Sequence, residues 1–122
     1  MTMSVSSRVV DATSGAPAVG VAVSLWESAA IEGEAPAEGA WTLLSQGHSQ
    51  ADGTVESWAV RQGIYRLVFA IGAWWAQCGM PTVYPEAVVT FSVTDPGTHC
   101  HVTLLVSPYA YTATVTTERP VE

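Results

Sequence analysis

With 122 residues, four arginines, no lysine and a formal net charge of -7, the chain has room for one domain with a substantial core, but it cannot build the basic face that phosphate binding requires. A nucleic-acid partner is therefore not expected. No apolar run is long enough to span a bilayer, the opening Met1 to Arg8 lacks the charged and apolar regions of a secretory signal, and the cytoplasm is the expected compartment, with no membrane partner. The two cysteines, Cys78 and Cys100, make no disulfide framework and have no Cys or His partners at structural zinc spacing, so both are expected to be reduced and mostly buried.

In chain order, Ser4 to Asp11 alternates as a strand, with Val5, Ser7 and Val9 on one face and Ser6, Arg8 and Val10 on the other. Asp11 to Ala18 carries turn chemistry at Gly15 and Pro17, and Val19 to Glu27 resumes the alternation as a second strand. Ser28 to Ala40 supports no period, and a mobile acidic loop is expected there. Trp41 to His48 reads as a third strand, Ala51 to Thr54 as a Gly-containing hairpin turn, and Thr54 to Trp58 as a short fourth strand.

Gly63 to Ala70 is the clearest strand, with Ile64, Arg66 and Val68 opposite Tyr65, Leu67 and Phe69. Gly72 to Gly79 differs. It reads as one short helix that Gly79 caps and Pro81 stops, with Trp74 and Trp75 packing it onto a sheet. Val88 to Thr94 is a sixth strand, and Asp95 to Gly97 turns the chain into His99 to Ser107. Beyond Pro108 a threonine-rich strand runs to Thr117. About eight short strands and one helix suggest an all-β, two-sheet sandwich.

The last two strands hold the most distinctive pattern. Period two puts His99, His101, Thr103 and Leu105 on one face and Cys100, Val102 and Leu104 on the other, while Thr112, Thr114 and Thr116 form a second polar row. Two imidazoles and a hydroxyl in a row mark a candidate site rather than a core. His99, at the turn, is expected to be exposed, and the His99-x-His101 pair lacks an identifiable third ligand, so no metal is expected.

Arg8 to Ala18, with its Asp-x-x-x-Gly-x-Pro-Ala turn, Gly63 to Phe69, Tyr84-Pro-Glu86, His99-x-His101-Val102 and Leu104 to Tyr109 together resemble, in order and spacing, the family that contains transthyretin and hydroxyisourate hydrolase. The resemblance covers nearly all residues and implies one transthyretin-like domain over 1–122, a sandwich of two four-stranded sheets with one short helix. It also implies a homotetramer, a dimer of dimers, whose central channel holds a small-molecule ligand or substrate. Channel-lining positions would be Arg8, Val10, His101, Thr103, Leu105, Thr112, Thr114 and Thr116.

Of the catalytic positions that the resemblance implies for the hydrolase, this chain keeps the seventh-strand histidine, His101. The first-strand histidine position holds Arg8, the arginine position after the Asp-Gly turn holds Thr54, and the Tyr-Arg-Gly-Ser ending aligns with Thr114 to Thr117. Two readings follow. One is a divergent small-molecule enzyme that hydrolyses, opens or closes the ring of a small heterocyclic or acyl metabolite. In it, His101 is the general acid/base, Arg8 binds an anion or polarises a carbonyl, and Thr54, Thr103, Leu105, Thr112, Thr114 and Thr116 contact the substrate, with no cofactor. The other is a noncatalytic binder or carrier, in which His101 only hydrogen-bonds across the channel and Arg8 is an interface charge.

Overall fold

The computed structural model describes residues 3–29 and 40–118. Eight strands and one helix follow in the order β1 (Met3–Asp11), β2 (Ala22–Ser28), β3 (Trp41–His48), β4 (Thr54–Val60), β5 (Gly63–Phe69), α1 (Ile71–Gln77), β6 (Ala87–Val93), β7 (His99–Ser107) and β8 (Ala110–Glu118). They form two four-stranded sheets, β4-β1-β7-β8 and β3-β2-β5-β6. The expected sandwich with one short helix is therefore the observed architecture. The expected mobile loop falls almost wholly on 30–39, outside the described residues.

Alternation explains why these segments are strands and how the sheets stack. In the first sheet Val5, Val9, Cys100, Val102, Leu104 and Val106 face inward and are buried; in the second, Val23, Leu25, Tyr65, Leu67 and Phe69 meet them. Each large side chain hidden this way stabilises the fold by about 1.5–3 kcal/mol before entropy is counted. The other face of the first sheet is left polar. One pairing in that sheet is parallel: β1 lies beside β7 in unbroken register from Ser4 opposite His99 to Asp11 opposite Val106.

The second strand begins at Ala22 rather than Val19, because Gly20 takes a φ of +86° and turns the chain before the ladder starts. The helix runs one residue earlier than expected and ends as a Schellman motif. The Met80 N–H donates to the Trp75 carbonyl and the Gly79 N–H to the Ala76 carbonyl, with Gly79 at φ +72°. Trp75 is buried, Trp74 meets it edge-on with ring centroids 4.7 Å apart, and the Trp74 indole donates to the Val19 carbonyl at 2.8 Å. The tryptophan pair thus packs the helix against the sandwich. Cys78, expected to be buried, is exposed, since it occupies the helix C-cap, where the chain turns outward; Cys100 is buried as expected.

Candidate functional site

Pairing register assembles the outer face of the first sheet into rows that cross its strands. Thr54, Arg8, Thr103 and Thr114 form one row; Ser6, His101 and Thr116 the next; Ser4, His99 and Glu118 the third; and Val10, Leu105 and Thr112 lie beyond Arg8. Rows stand about 7 Å apart, two residues along a strand. The structure therefore brings Arg8, His101, Thr103, Leu105, Thr54, Thr112, Thr114 and Thr116 onto one surface. Leu105 is 41% exposed there, and Arg8, Thr112, Thr114 and Thr116 are exposed, so nothing within the described residues roofs this wall.

His101 is half-buried in the middle of it. Its Nδ1 lies 2.7 Å from Ser6 Oγ, and the Thr116 hydroxyl lies 3.4 Å from its carbonyl oxygen. Burial pushes its pKa below the ordinary 6.5; the nearby His99 ring and the Arg8 guanidinium push the same way, and Glu118 opposes them. The neutral imidazole is thus the favoured form near neutral pH.

A lowered folded-state pKa means that the unfolded chain takes up a proton first as the pH falls. The contribution of His101 to stability is present above about pH 6.5 and is lost as the pH drops through its folded value. Urea melts at about pH 7 and about pH 5 are expected to show a smaller loss of stability on acidification in His101→Gln than in the wild type. An equal loss would contradict the burial assigned to this ring.

Thr54 is less free than its position suggests. Its hydroxyl donates to Asp52 Oδ1 at 2.6 Å, and its N–H reaches the same oxygen at 3.0 Å. These bonds, helped by the Arg8 charge, hold the Asp52 carboxyl below its usual range. Thr54 therefore offers a ligand only an acceptor. Arg8 keeps its guanidinium on the exposed surface of the wall.

His99 departs from expectation. Although it opens β7, it is half-buried and bonded on both ring nitrogens, to Ser4 Oγ through Nδ1 at 2.5 Å and to Ser6 Oγ through Nε2 at 2.8 Å. The reason is the parallel partner: β1 places Ser4 and Ser6 on either side of the ring. Both serines were missed as site residues. Their period-two spacing matches that of His99 and His101, but nothing local in the sequence reveals that the two strands are neighbours. Among the described residues no three His, Cys, Asp or Glu side chains converge as metal ligands, and no helix is long and apolar enough to cross a membrane.

Two four-stranded sheets, one helix between the fifth and sixth strands and a polar outer wall carrying a histidine define the class: a transthyretin-like sandwich. The model of the HIUase/Transthyretin family matches residues 5–114, and the chain belongs to that family. It is 34% identical over 110 residues to a 5-hydroxyisourate hydrolase of Salmonella typhimurium, a match that covers 87% of this chain and 75% of that one. The solved 5-hydroxyisourate hydrolase of Klebsiella pneumoniae superposes with a TM-score of 0.75 at 28% identity, over 93% of this chain and 98% of that one. Sea bream transthyretin, solved in complex with thyroxine, gives 0.80 at 27% identity, over 97% and 98%.

Proposed function

We propose that the protein is a small-molecule hydrolase of the hydroxyisourate hydrolase type, acting on a heterocyclic or acyl metabolite at the outer wall of the first sheet. The observation that carries this reading is the half-buried His101, held by Ser6 and placed one row from Arg8, in surroundings that favour its neutral form. In a hydrolytic ring opening, water adds to a ring carbonyl carbon and gives its proton to His101. The carbonyl oxygen, as it becomes negative, is met by the Arg8 guanidinium. The C–N bond then breaks and the ring nitrogen takes the proton back from His101, so the imidazole ends neutral. Thr103, Thr114 and Thr116 supply hydroxyls around the ring, and Leu105 with Thr112 bounds it; Thr54 accepts one hydrogen bond.

Arg8, Leu105, Thr112, Thr114 and Thr116 stand exposed on the wall in one subunit, whereas small-molecule sites are concave and bury most of their ligand. We infer that a second copy closes it, within a homotetramer built as a dimer of dimers, so that the site is a channel. The unpaired thiols of Cys78 and Cys100 support a reducing, cytoplasmic setting.

A second reading has its own support. Thr54 is tied to Asp52 rather than free for chemistry, and a structural match that is a thyroxine complex scores no lower than the hydrolase match. On that reading the channel binds and carries a small ligand, with Arg8 meeting its anionic group. Fresh 5-hydroxyisourate mixed with the protein separates the two: absorbance loss faster than in buffer supports the hydrolase. Buffer-rate decay, together with saturable binding of an aromatic carboxylate, supports the carrier.

A further inference from the structure

The four side chains Ser4, His99, Ser6 and His101 form one continuous hydrogen-bonded line. Ser4 Oγ contacts His99 Nδ1 at 2.5 Å, His99 Nε2 contacts Ser6 Oγ at 2.8 Å, and Ser6 Oγ contacts His101 Nδ1 at 2.7 Å. The parallel register makes this possible, because serines two apart on β1 stand beside histidines two apart on β7. The last contact of the line is made by His101 Nδ1, which leaves the second ring nitrogen, Nε2, as its end.

Hydroxyl and imidazole chemistry restricts how the protons can be arranged. Ser6 has one proton and sits between two ring nitrogens, and a neutral imidazole carries one N–H and one lone pair. If Ser6 donates to His101 Nδ1, it accepts from His99 Nε2–H, and His99 Nδ1 accepts from Ser4; both rings are then protonated on Nε2. If the direction is reversed, His101 Nδ1–H donates to Ser6, Ser6 donates to His99 Nε2, and His99 Nδ1–H donates to Ser4; both rings are then protonated on Nδ1. Only the second arrangement presents a lone pair at His101 Nε2.

We propose that Ser4, His99 and Ser6 are a proton relay behind His101, in which Ser6 and His99 act as positioning residues that set its tautomer. The proposal rests on His101 being the proton-transfer group. A proton taken from water by His101 Nε2 is balanced by transfer of the Nδ1 proton to Ser6, of the Ser6 proton to His99 Nε2, of the His99 Nδ1 proton to Ser4, and of the Ser4 proton to solvent. No bond between heavy atoms changes, each N–H or O–H bond broken is matched by one formed, each of the four groups ends with the number of protons it had, and the line has reversed direction. The surroundings of His101 favour this over storing the proton: burial disfavours an imidazolium most, the neighbouring His99 on its own strand and Arg8 from β1 act in the same direction, and Glu118 from β8 opposes them. When the leaving nitrogen needs a proton, the reversed line supplies it from His101 Nε2–H.

The test reads tautomers directly and does not need turnover. Long-range proton–nitrogen NMR correlations on the intact, histidine-labelled protein, at a pH above the ordinary histidine range, report which nitrogen of each ring is protonated, with the exposed His48 as the internal reference. The relay predicts that His99 and His101 are protonated on the same-named nitrogen. It also predicts that Ser6→Ala uncouples them and that Ser6→Thr, which keeps the hydroxyl, restores the coupling. Protons on His99 Nε2 and His101 Nδ1, both aimed at Ser6, or tautomers unchanged in Ser6→Ala, would overturn it. In an active protein, Ser6→Ala and His99→Gln are expected to lower kcat about ten-fold with KM little changed, a smaller effect than loss of the proton-transfer group itself. A coupled pair of tautomers in a protein that leaves 5-hydroxyisourate untouched would sink the hydrolase reading of the substrate and leave the relay standing.

Discussion

Gly53→Ala is expected to cost about 3 kcal/mol of stability, read as a lowered urea midpoint at unchanged slope. Gly53 has φ +83°, and a methyl built on it would stand 2.5 Å from the Val9 carbonyl oxygen and 3.1 Å from Pro17 Cβ. That oxygen already accepts the Ala18 N–H, and the Val9 N–H donates to the Gly53 carbonyl. The strain therefore has no easy relief: the turn must pull away from β1, taking Thr54 out of its row beside Arg8. Gly79 is the control. Its φ is +72°, but an added methyl meets nothing within 4 Å, so alanine there carries only the backbone penalty, about 1 kcal/mol. Equal costs at the two positions would contradict the close approach of the 51–54 turn to β1.

The larger functional effect is assigned to His101. Removing a positioned acid/base group costs about a hundred-fold or more in kcat, and His101→Ala is expected to show a loss of that size under saturating substrate. Alanine leaves the strand intact, because the ring lies on the outer face and the core neighbours Cys100 and Val102 keep their burial. His48→Ala, on the outer edge of the other sheet, is expected to retain wild-type turnover.

Much of this architecture was legible because it rests on period two. Apolar residues alternating with polar ones marked β1, β2, β5 and β7, a row of threonines marked β8, and Gly79 with Pro81 marked the end of the helix. The same alternation placed His101, Thr103 and Leu105 opposite Cys100, Val102 and Leu104, as the burial pattern shows. What stayed hidden depends on contacts between distant segments. The β1–β7 pairing joins residues 95 apart in sequence, so the serine partners of the two histidines could not be read locally, and His99 looked like an exposed turn residue. The irregularities in pairing between Val5 and Ser7 and between Leu25 and Trp26 shift register without any Gly or Pro to announce them. Cys78 is exposed although its residue type favours burial, because its place at the helix C-cap overrides that preference.

Family membership narrows the function without choosing between the two proposed readings, since proteins named 5-hydroxyisourate hydrolase and proteins named transthyretin both occur among the relatives. The choice turns on whether His101 moves protons. The most direct measurement is the initial rate of 5-hydroxyisourate loss at equal concentrations of wild type and His101→Ala, each corrected for spontaneous decay. The proposed site predicts a rate well above background for the wild type and a rate lower by about a hundred-fold or more for the variant. Equal rates in the two proteins, whether both at background or both above it, would contradict it.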